Sequence, residues 1–125
     1  MNETALRTLY SGKICDVCAL LIDGQCLVED FIDSLELPDE RKITALLERT
    51  AENGQPANRE KFKKLEEDIF EFKSFQVRIL CTIRGKRIIM THGVIKKKNH
   101  HDIQDIERAR RLLEDAGFGR KREKT

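Results

Sequence analysis

The chain reads Phe75-Gln-Val-Arg-Ile-Leu-Cys-Thr-Ile83, then Arg84-Gly85-Lys86, then Arg87-Ile-Ile-Met-Thr-His92, and this stretch decides the fold. Its first part alternates apolar and polar positions, the pattern of a half-buried antiparallel strand. The apolar positions are Phe75, Val77, Ile79, Cys81 and Ile83. Arg84-Gly85-Lys86 predicts a tight turn, and Ile88 to His92 predicts the second strand of the hairpin. The alternation places Arg78 on the face opposite the apolar set.

A strand and two helices are predicted before this hairpin. Ile14 to Ile22 is apolar and strand-like, and Asp23-Gly24 is a turn signal. A short helix follows, with apolar residues at helical spacing at Val28, Phe31, Ile32 and Leu35. A second helix has Pro38 in its first turn and ends at Asn53-Gly54. The two helices are expected to form an αα-hairpin.

The remaining elements complete an α+β fold. Ile69-Phe-Glu-Phe72 predicts another strand, whereas Glu60 to Asp68 resembles a solvated helix face around two apolar anchors. A last helix is predicted from Asp102 to Gly117. The expected order is β-α-α-β-β-β-α, with a small, mostly antiparallel sheet. We expect one domain over residues 1–125, with 1–13 an N-terminal extension (a loose arm or short helix) and 118–125 a basic tail.

Charge is distributed unevenly along the chain. Residues 1–57 contain 5 Lys/Arg and 11 Asp/Glu, and residues 58–125 contain 19 Lys/Arg and 11 Asp/Glu. A basic half suggests a polyanionic partner, although an ordinary solvated charged surface explains the count alone. No apolar run is long enough to span a bilayer, and the N-terminus lacks an apolar signal core. We therefore expect a cytoplasmic protein with no membrane partner.

The four cysteines raise the question of a zinc site. Cys15-Asp-Val-Cys18 has the spacing of a zinc knuckle, and Cys26 with one histidine could complete four ligands. No second cysteine pair follows, which argues against zinc. Cys81 lies on the apolar face of its predicted strand and is expected to be a small core residue.

Several short motifs occur in an order that resembles a known family. They are Leu65-Glu66, Phe70-Glu71-Phe72-Lys73, Arg78-Ile79-Leu80, His92-Gly-Val-Ile-Lys-Lys97 and Glu107-Arg108-Ala109. Phe31-Ile32-Asp33-Ser34-Leu35 resembles the same family's first-helix motif. The ordered set, over residues 18–111, resembles the RelE/HigB superfamily of type II toxins, in its phage-derived, HigB-like branch.

The resemblance implies a RelE-like fold and an endoribonuclease that cuts mRNA, in many relatives on the ribosome. It also implies a separate helix-turn-helix antitoxin as partner, and no metal or cofactor. RNA supplies its own nucleophile, the 2′-OH, so the protein has only to orient that group, move protons and stabilise charge on the phosphate.

The resemblance also implies candidate residues for the site. Those implied for catalysis are Arg78, Lys96, Lys97 and His92. The candidates for RNA binding are Lys61, Lys63, Lys64, Lys73, Lys98, His100, His101 and Arg108. His100 and His101 depart from the resemblance, because many relatives have Thr or Pro there. Arg78 is the strongest candidate, because a guanidinium can hold two phosphate oxygens at once.

Each of these residues also has a structural explanation. Arg78 could be an exposed strand residue paired with Glu71. His92 shares the parity of Ile88 and Met90, which favours a half-buried, hydrogen-bonded histidine over a proton carrier. The lysine runs could be solvated loops or helix faces.

Two other function classes remain open. The chain lacks the aromatic acid or base that several relatives place near the last helix, since its single tyrosine is Tyr10. A noncatalytic relative that binds RNA or an antitoxin is therefore one alternative. A zinc-stabilised nucleic-acid adaptor, organised by Cys15, Cys18 and Cys26, is the other.

Overall fold

Six strands form one mixed sheet with helices on both of its faces. The computed structural model describes residues 5–96 and 103–119. The elements are β1 Leu6–Ser11, β2 Asp16–Leu20, α1 Leu27–Asp33, α2 Leu37–Asn53, β3 Phe62–Glu66, β4 Ile69–Ser74, β5 Val77–Arg84, β6 Arg87–Ile95 and α3 Ile103–Asp115. The strand order is β1-β2-β6-β5-β4-β3. Only the β2–β6 pair is parallel, so the predicted, mostly antiparallel α+β sheet is confirmed for the described residues.

The sheet separates two apolar cores. One core lies under α1 and α2 and includes Val17, Phe72, Ile79 and Met90 from the strands. We call this side of the sheet the helix-pair face. The other core lies under α3, where Ile106, Ala109 and Leu113 pack with strand residues; those are Leu20, Ile69, Leu80 and Ile89. We call this side the α3 face.

The boundaries of α2 agree with the sequence signals. Pro38 lies in the first turn, where its missing N–H would have no intrahelical partner. Gly54 follows the last helical residue at a φ of 91°, a conformation that glycine adopts without a Cβ penalty. The buried side chains of α2 include Ile43, Leu46 and Leu47, as their helical spacing predicts.

Two strands were not predicted, so the expected order β-α-α-β-β-β-α is wrong. Residues 6–11, expected to be an arm or short helix, form the edge strand β1; its bulge between Thr8 and Tyr10 removes a clean alternation. Residues 62–66 form β3 and are not helical. Phe62 packs on the helix-pair face and Leu65 on the α3 face. The two residues are three positions apart, which is also the spacing of neighbours on one face of a helix, but here they lie on opposite faces of a strand.

The β5–β6 hairpin is confirmed, but β5 is more buried than predicted. Gly85 occupies the turn at a φ of 63°. β5 is buried on both faces from Val77 to Thr82 because α3 covers the side expected to face solvent. Phe75 does not join the core; it lies before β5, in an exposed turn.

A bulge in β6 reverses the predicted orientation of His92. Leu80 is paired with His92, and Cys81 with Met90, so Thr91 is an extra residue on β6. His92 therefore points to the α3 face, whereas Met90 and Ile88 point to the helix-pair face. The expectation that His92 shares their parity is wrong.

The end of the described chain folds back on the sheet. After α3, the Phe118 N–H donates to Leu113 O at 2.7 Å, and Arg84 Nη2 donates to Phe118 O at 3.1 Å. The predicted cap Asp102 and the basic tail from residue 120 onward lie outside the described residues. None of the helices within 5–96 and 103–119 is long and apolar enough to cross a membrane.

Candidate functional site

Four basic side chains converge on one carboxylate at the end of the α3 face nearest the β4–β5 turn. Glu71, on β4, is 5% exposed. In the sheet register, Lys63 of β3 lies opposite Glu71, and Arg78 of β5 lies opposite Lys73. Lys96 follows β6 directly. We call Lys63, Lys73, Arg78 and Lys96 the basic cluster.

The positive charges of the basic cluster act on the ionisation of Glu71. Burial raises the pKa of Glu71, and the positive charges of Arg78, Lys96, Lys73 and Lys63 oppose that rise. The pKa remains raised, so burial is the larger effect. Asp105 adds a second carboxylate, 3.8 Å from Lys96 Nζ. Two carboxylates cannot balance four cations, so an excess of positive charge is left at this end of the α3 face.

Arg78 is anchored by the backbone of the β4–β5 turn. It is 9% exposed, and its Nε lies 3.7 Å from Glu71 Oε2. Its Nη1 donates to Val77 O at 3.2 Å and also to Phe75 O. Glu71 is therefore the partner of Arg78, as the sequence analysis proposes, but the Arg78–Glu71 pair is buried instead of exposed. A buried pair makes removal of one partner costly, which matters for any test of Arg78.

His92 is buried beside the same cluster, with its side chain 2% exposed. Thr91 Oγ1 donates to Leu80 O at 3.3 Å and lies 3.0 Å from His92 Nδ1. Which of these two atoms donates depends on the tautomer of the imidazole. Within the described residues, Nε2 has no hydrogen-bond partner.

Two charged residues of α3 lie near His92. Asp105 Oδ1 is 4.0 Å from His92 Nε2, and Asp105 Oδ2 is 3.8 Å from Lys96 Nζ. Burial, and then the positive charge of Arg108, lower the pKa of His92 to about 4. The Asp105 carboxylate would favour a protonated imidazole, but Lys96 shares its charge, so burial and Arg108 dominate. His92 is therefore neutral at pH 7.

We predict that His92 makes stability depend on pH. Its folded pKa of about 4 lies below the ordinary 6.5, so the unfolded chain binds the proton more readily and stability falls as the pH drops below 6.5. At pH 5, the loss relative to pH 8 should be about 2 kcal/mol. Urea unfolding of the wild type and of His92→Gln at several pH values between 8 and 5 measures this loss of unfolding free energy. Since other groups titrate in both proteins, equal pH slopes for the two would refute the prediction.

The structure separates the other predicted RNA-binding residues. Lys64 lies opposite Phe70 and so points to the helix-pair face, and Lys61 lines a shallow pocket with Arg49 and Pro56 beside α2. Arg108 is exposed on α3, close enough to His92 for its charge to act there. Four predicted residues lie outside the described residues: Lys97, Lys98, His100 and His101.

The cysteines do not form a metal-binding group. Cys15 Sγ lies 3.5 Å from Thr50 O, and Cys18 Sγ lies 3.6 Å from Thr8 Oγ1. Cys26 precedes α1, and Cys81 is fully buried, as predicted. Burial raises the pKa of all four thiols, which disfavours thiolates. No cluster of three or more His, Cys, Asp or Glu side chains suited to a metal occurs in residues 5–96 and 103–119.

Three residues of the site were not singled out from the sequence. The sequence analysis expects Glu71 only as an exposed partner of Arg78, although a carboxylate inside the apolar run Ile69-Phe-Glu-Phe72 is a signal of a buried charge. Asp105 lies at the site because α3 docks on the sheet there, and Thr91 contacts His92 because of the bulge in β6. Both are tertiary features that local sequence patterns do not reveal.

Comparison with known proteins places the chain in a family. A family model described as phage derived protein Gp49-like (DUF891) matches residues 30–114. This range contains the whole basic cluster, Glu71, His92 and Asp105. No curated protein matches the chain. Since the match covers more than half of its length, the chain belongs to the phage-derived Gp49-like family, which is associated with RelE-type toxin proteins.

Proposed function

We propose that this protein is the toxin of a type II toxin–antitoxin system, of HigB-like type, and that it cuts mRNA at the basic cluster. The observation that carries the proposal is the convergence of Lys63, Lys73, Arg78 and Lys96 on one end of the α3 face, around a single buried carboxylate. An excess of cations in a fixed arrangement suits a phosphodiester. The Gp49-like family supports a toxin-like role.

The chemistry would use the 2′-OH of the RNA as nucleophile. Arg78 and the lysines would stabilise the negative charge that gathers on the phosphoryl oxygens. His92 is neutral at pH 7, because its pKa is lowered to about 4, which is the protonation state of a general base. Its Nε2 is buried, so α3 would have to move before this atom could take the proton of the 2′-OH. Attack by the 2′-oxygen forms a 2′,3′-cyclic phosphate and breaks the P–O5′ bond. The cations would stabilise the charge on the leaving 5′-oxygen, which would take its proton from water. We expect mRNA on the ribosome as substrate, a helix-turn-helix antitoxin as partner and a cytoplasmic site of action.

Neighbouring lysines on β3 give a matched test of the basic cluster. Lys63 belongs to the cluster face, whereas Lys64 points to the helix-pair face. We predict that Lys63→Glu lowers affinity for single-stranded RNA by about tenfold. It should also make the salt dependence shallower by about 0.7 in log–log slope. Lys64→Glu, with the same charge change, should leave both nearly unchanged. Fluorescence anisotropy with a labelled oligonucleotide measures these effects, and equal losses in the two variants would exclude the α3 face as the site.

Nuclease activity needs a separate readout in cells. Induced expression in a bacterial host should arrest growth and produce new mRNA 5′ ends, detected by end mapping. Lys63→Glu should weaken both effects more than Lys64→Glu does. Arrest without new mRNA ends would argue against an endoribonuclease.

A noncatalytic binding protein is the second candidate, and one observation favours it. The two groups best suited to chemistry are largely occupied by the fold: Arg78 is bound to Glu71 and to two backbone carbonyls, and His92 is buried. Such a protein would bind RNA through the same lysines and leave it intact. RNA binding sensitive to Lys63→Glu, without cleavage on or off ribosomes, would establish this alternative.

A further inference from the structure

Phe75 is exposed, in the turn between β4 and β5, beside the basic cluster. The residue is 73% exposed, although the sequence pattern predicted it in the core. It also has a φ of 56°, in the left-handed region. That conformation is unusual for a bulky residue and lowers the stability of the fold, whereas glycine and asparagine adopt it readily. Neither burial in the core nor turn geometry therefore explains a phenylalanine at this position.

The turn is held in place by groups of the candidate site. Phe75 O accepts a hydrogen bond from Arg78 Nη1. The neighbouring Gln76 O accepts one from the Lys96 N–H at 2.8 Å. The same two residues, Arg78 and Lys96, belong to the basic cluster, so the backbone of the turn is fixed in position relative to it.

One face of the ring is already covered by a cation. Lys42 Nζ, from α2, lies 4.3 Å from the centroid of the Phe75 ring, in a cation–π contact. A ring that stays largely exposed with one face covered presents its other face to solvent. A flat apolar face framed by positive charge suits an unpaired nucleobase, since bases stack on aromatic rings while their phosphates contact lysine and arginine.

We propose that Phe75 is a base-stacking residue that holds one unpaired base of single-stranded RNA at the β4–β5 turn, at the same end of the sheet as the basic cluster. This inference rests on the proposed function and adds a contact to its substrate. The charges favour RNA over an apolar protein surface, because Lys42 contacts the ring and Lys73 and Arg78 flank the turn in sequence. Stacking is tolerant of base identity, so the contact would select unpaired RNA more than a particular base.

The test uses the full chain and an RNA that it cannot cut. A labelled 2′-O-methyl adenosine 12-mer lacks the attacking hydroxyl, and its affinity can be measured by anisotropy at several salt concentrations. Phe75→Asn should weaken binding about 5- to 150-fold, because asparagine fits the turn but cannot stack. The salt slope should not change, since no phosphate contact is lost. Phe75→Trp should bind like wild type or more tightly.

Controls separate stacking from folding. The urea midpoint of Phe75→Asn should equal or exceed that of wild type, because the strained aromatic has been replaced. Ile103→Ala removes another exposed apolar side chain, 65% exposed in α3, and should leave RNA affinity unchanged. Wild type should bind an oligonucleotide with the same backbone but no bases far more weakly than the adenosine 12-mer.

The outcomes distinguish this inference from the proposed function. Unchanged RNA affinity in Phe75→Asn, or equal wild-type affinity for the base-free oligonucleotide, would overturn the stacking contact. If Lys63→Glu still weakens binding in that case, the basic cluster remains the RNA site and only Phe75 is excluded. If neither variant weakens binding, the proposed function fails as well. An Asn variant with a lower urea midpoint and unchanged affinity would assign Phe75 to the fold.

Discussion

Replacing Gly12 with alanine is expected to lower the free energy of unfolding by at least ~3 kcal/mol. A Cβ at this position would lie 2.3 Å from the backbone carbon of Ala51 and 2.4 Å from its oxygen. Both atoms are main-chain atoms of α2, so no side-chain rotation can relieve the overlap. The same turn donates two hydrogen bonds to Ala51 O, from Ile14 N at 3.0 Å and Cys15 N at 3.1 Å. Movement of the turn would break both bonds.

Gly24→Ala is the matched control for Gly12→Ala. Gly24 has a φ of 82°, and apart from its chain neighbours no atom of the described residues lies within 4 Å of the position that a Cβ would take. Its replacement therefore adds backbone strain without a clash. We expect that strain to cost about 1 kcal/mol, clearly less than the Gly12 variant. Urea unfolding followed by circular dichroism compares the two. Equal losses would mean that the β1–β2 turn does not pack against α2.

The β1–β2 hairpin supports the candidate site through its pairing with β6. The family match begins at residue 30, after β1 and β2, yet β2 pairs in parallel with the part of β6 from Arg87 to Met90. That segment leads directly into the Thr91 bulge and His92. β1 and β2 therefore belong to the same sheet as the candidate site, although residues 1–13 are predicted from the sequence to be an extension.

Elements with strong local signals were predicted well from the sequence. α2 carries an apolar stripe, a first-turn proline and a terminal glycine, and all three act on the isolated segment. The β5–β6 hairpin likewise combines alternation with a glycine turn. β1 and β3 lack such signals, because each is an edge strand with a bulge, and a bulge removes the period of two.

The candidate site was predictable in its composition but not in its environment. Strand alternation placed Arg78 opposite the apolar set, and the structure does put it on the α3 face, with Lys73 and Glu71. Burial of Arg78 depends on α3 docking over that face, which no pattern within β5 encodes. The orientation of His92 depends on one inserted residue, Thr91, which looks like any other strand residue in the sequence.

The burial of Arg78 leads to the last prediction, a double-mutant cycle with Glu71. Arg78→Met should lower the free energy of unfolding by about 3 kcal/mol, because it leaves the Glu71 carboxylate buried without its nearest cation. Glu71→Gln should cost little: burial raises the pKa of Glu71, so the buried negative charge carries a desolvation cost that glutamine avoids, and glutamine keeps an oxygen near Arg78 Nε. The double variant should recover much of the stability lost in Arg78→Met. Urea unfolding of the four proteins at pH 7 gives the coupling energy.

The same four proteins separate the structural role of Arg78 from its proposed role on RNA. If Arg78 contacts the phosphate, RNA cleavage and growth arrest should be lost in Arg78→Met and should stay lost in the double variant, although its stability returns. Glu71→Gln should retain both activities and bind RNA at least as tightly as wild type, since it removes one negative charge from the basic cluster. Recovery of activity together with stability in the double variant would instead show that Arg78 acts only through the fold. The lysines would then carry the phosphate contact alone, because Lys63, Lys73 and Lys96 surround Glu71 whichever residue occupies position 78.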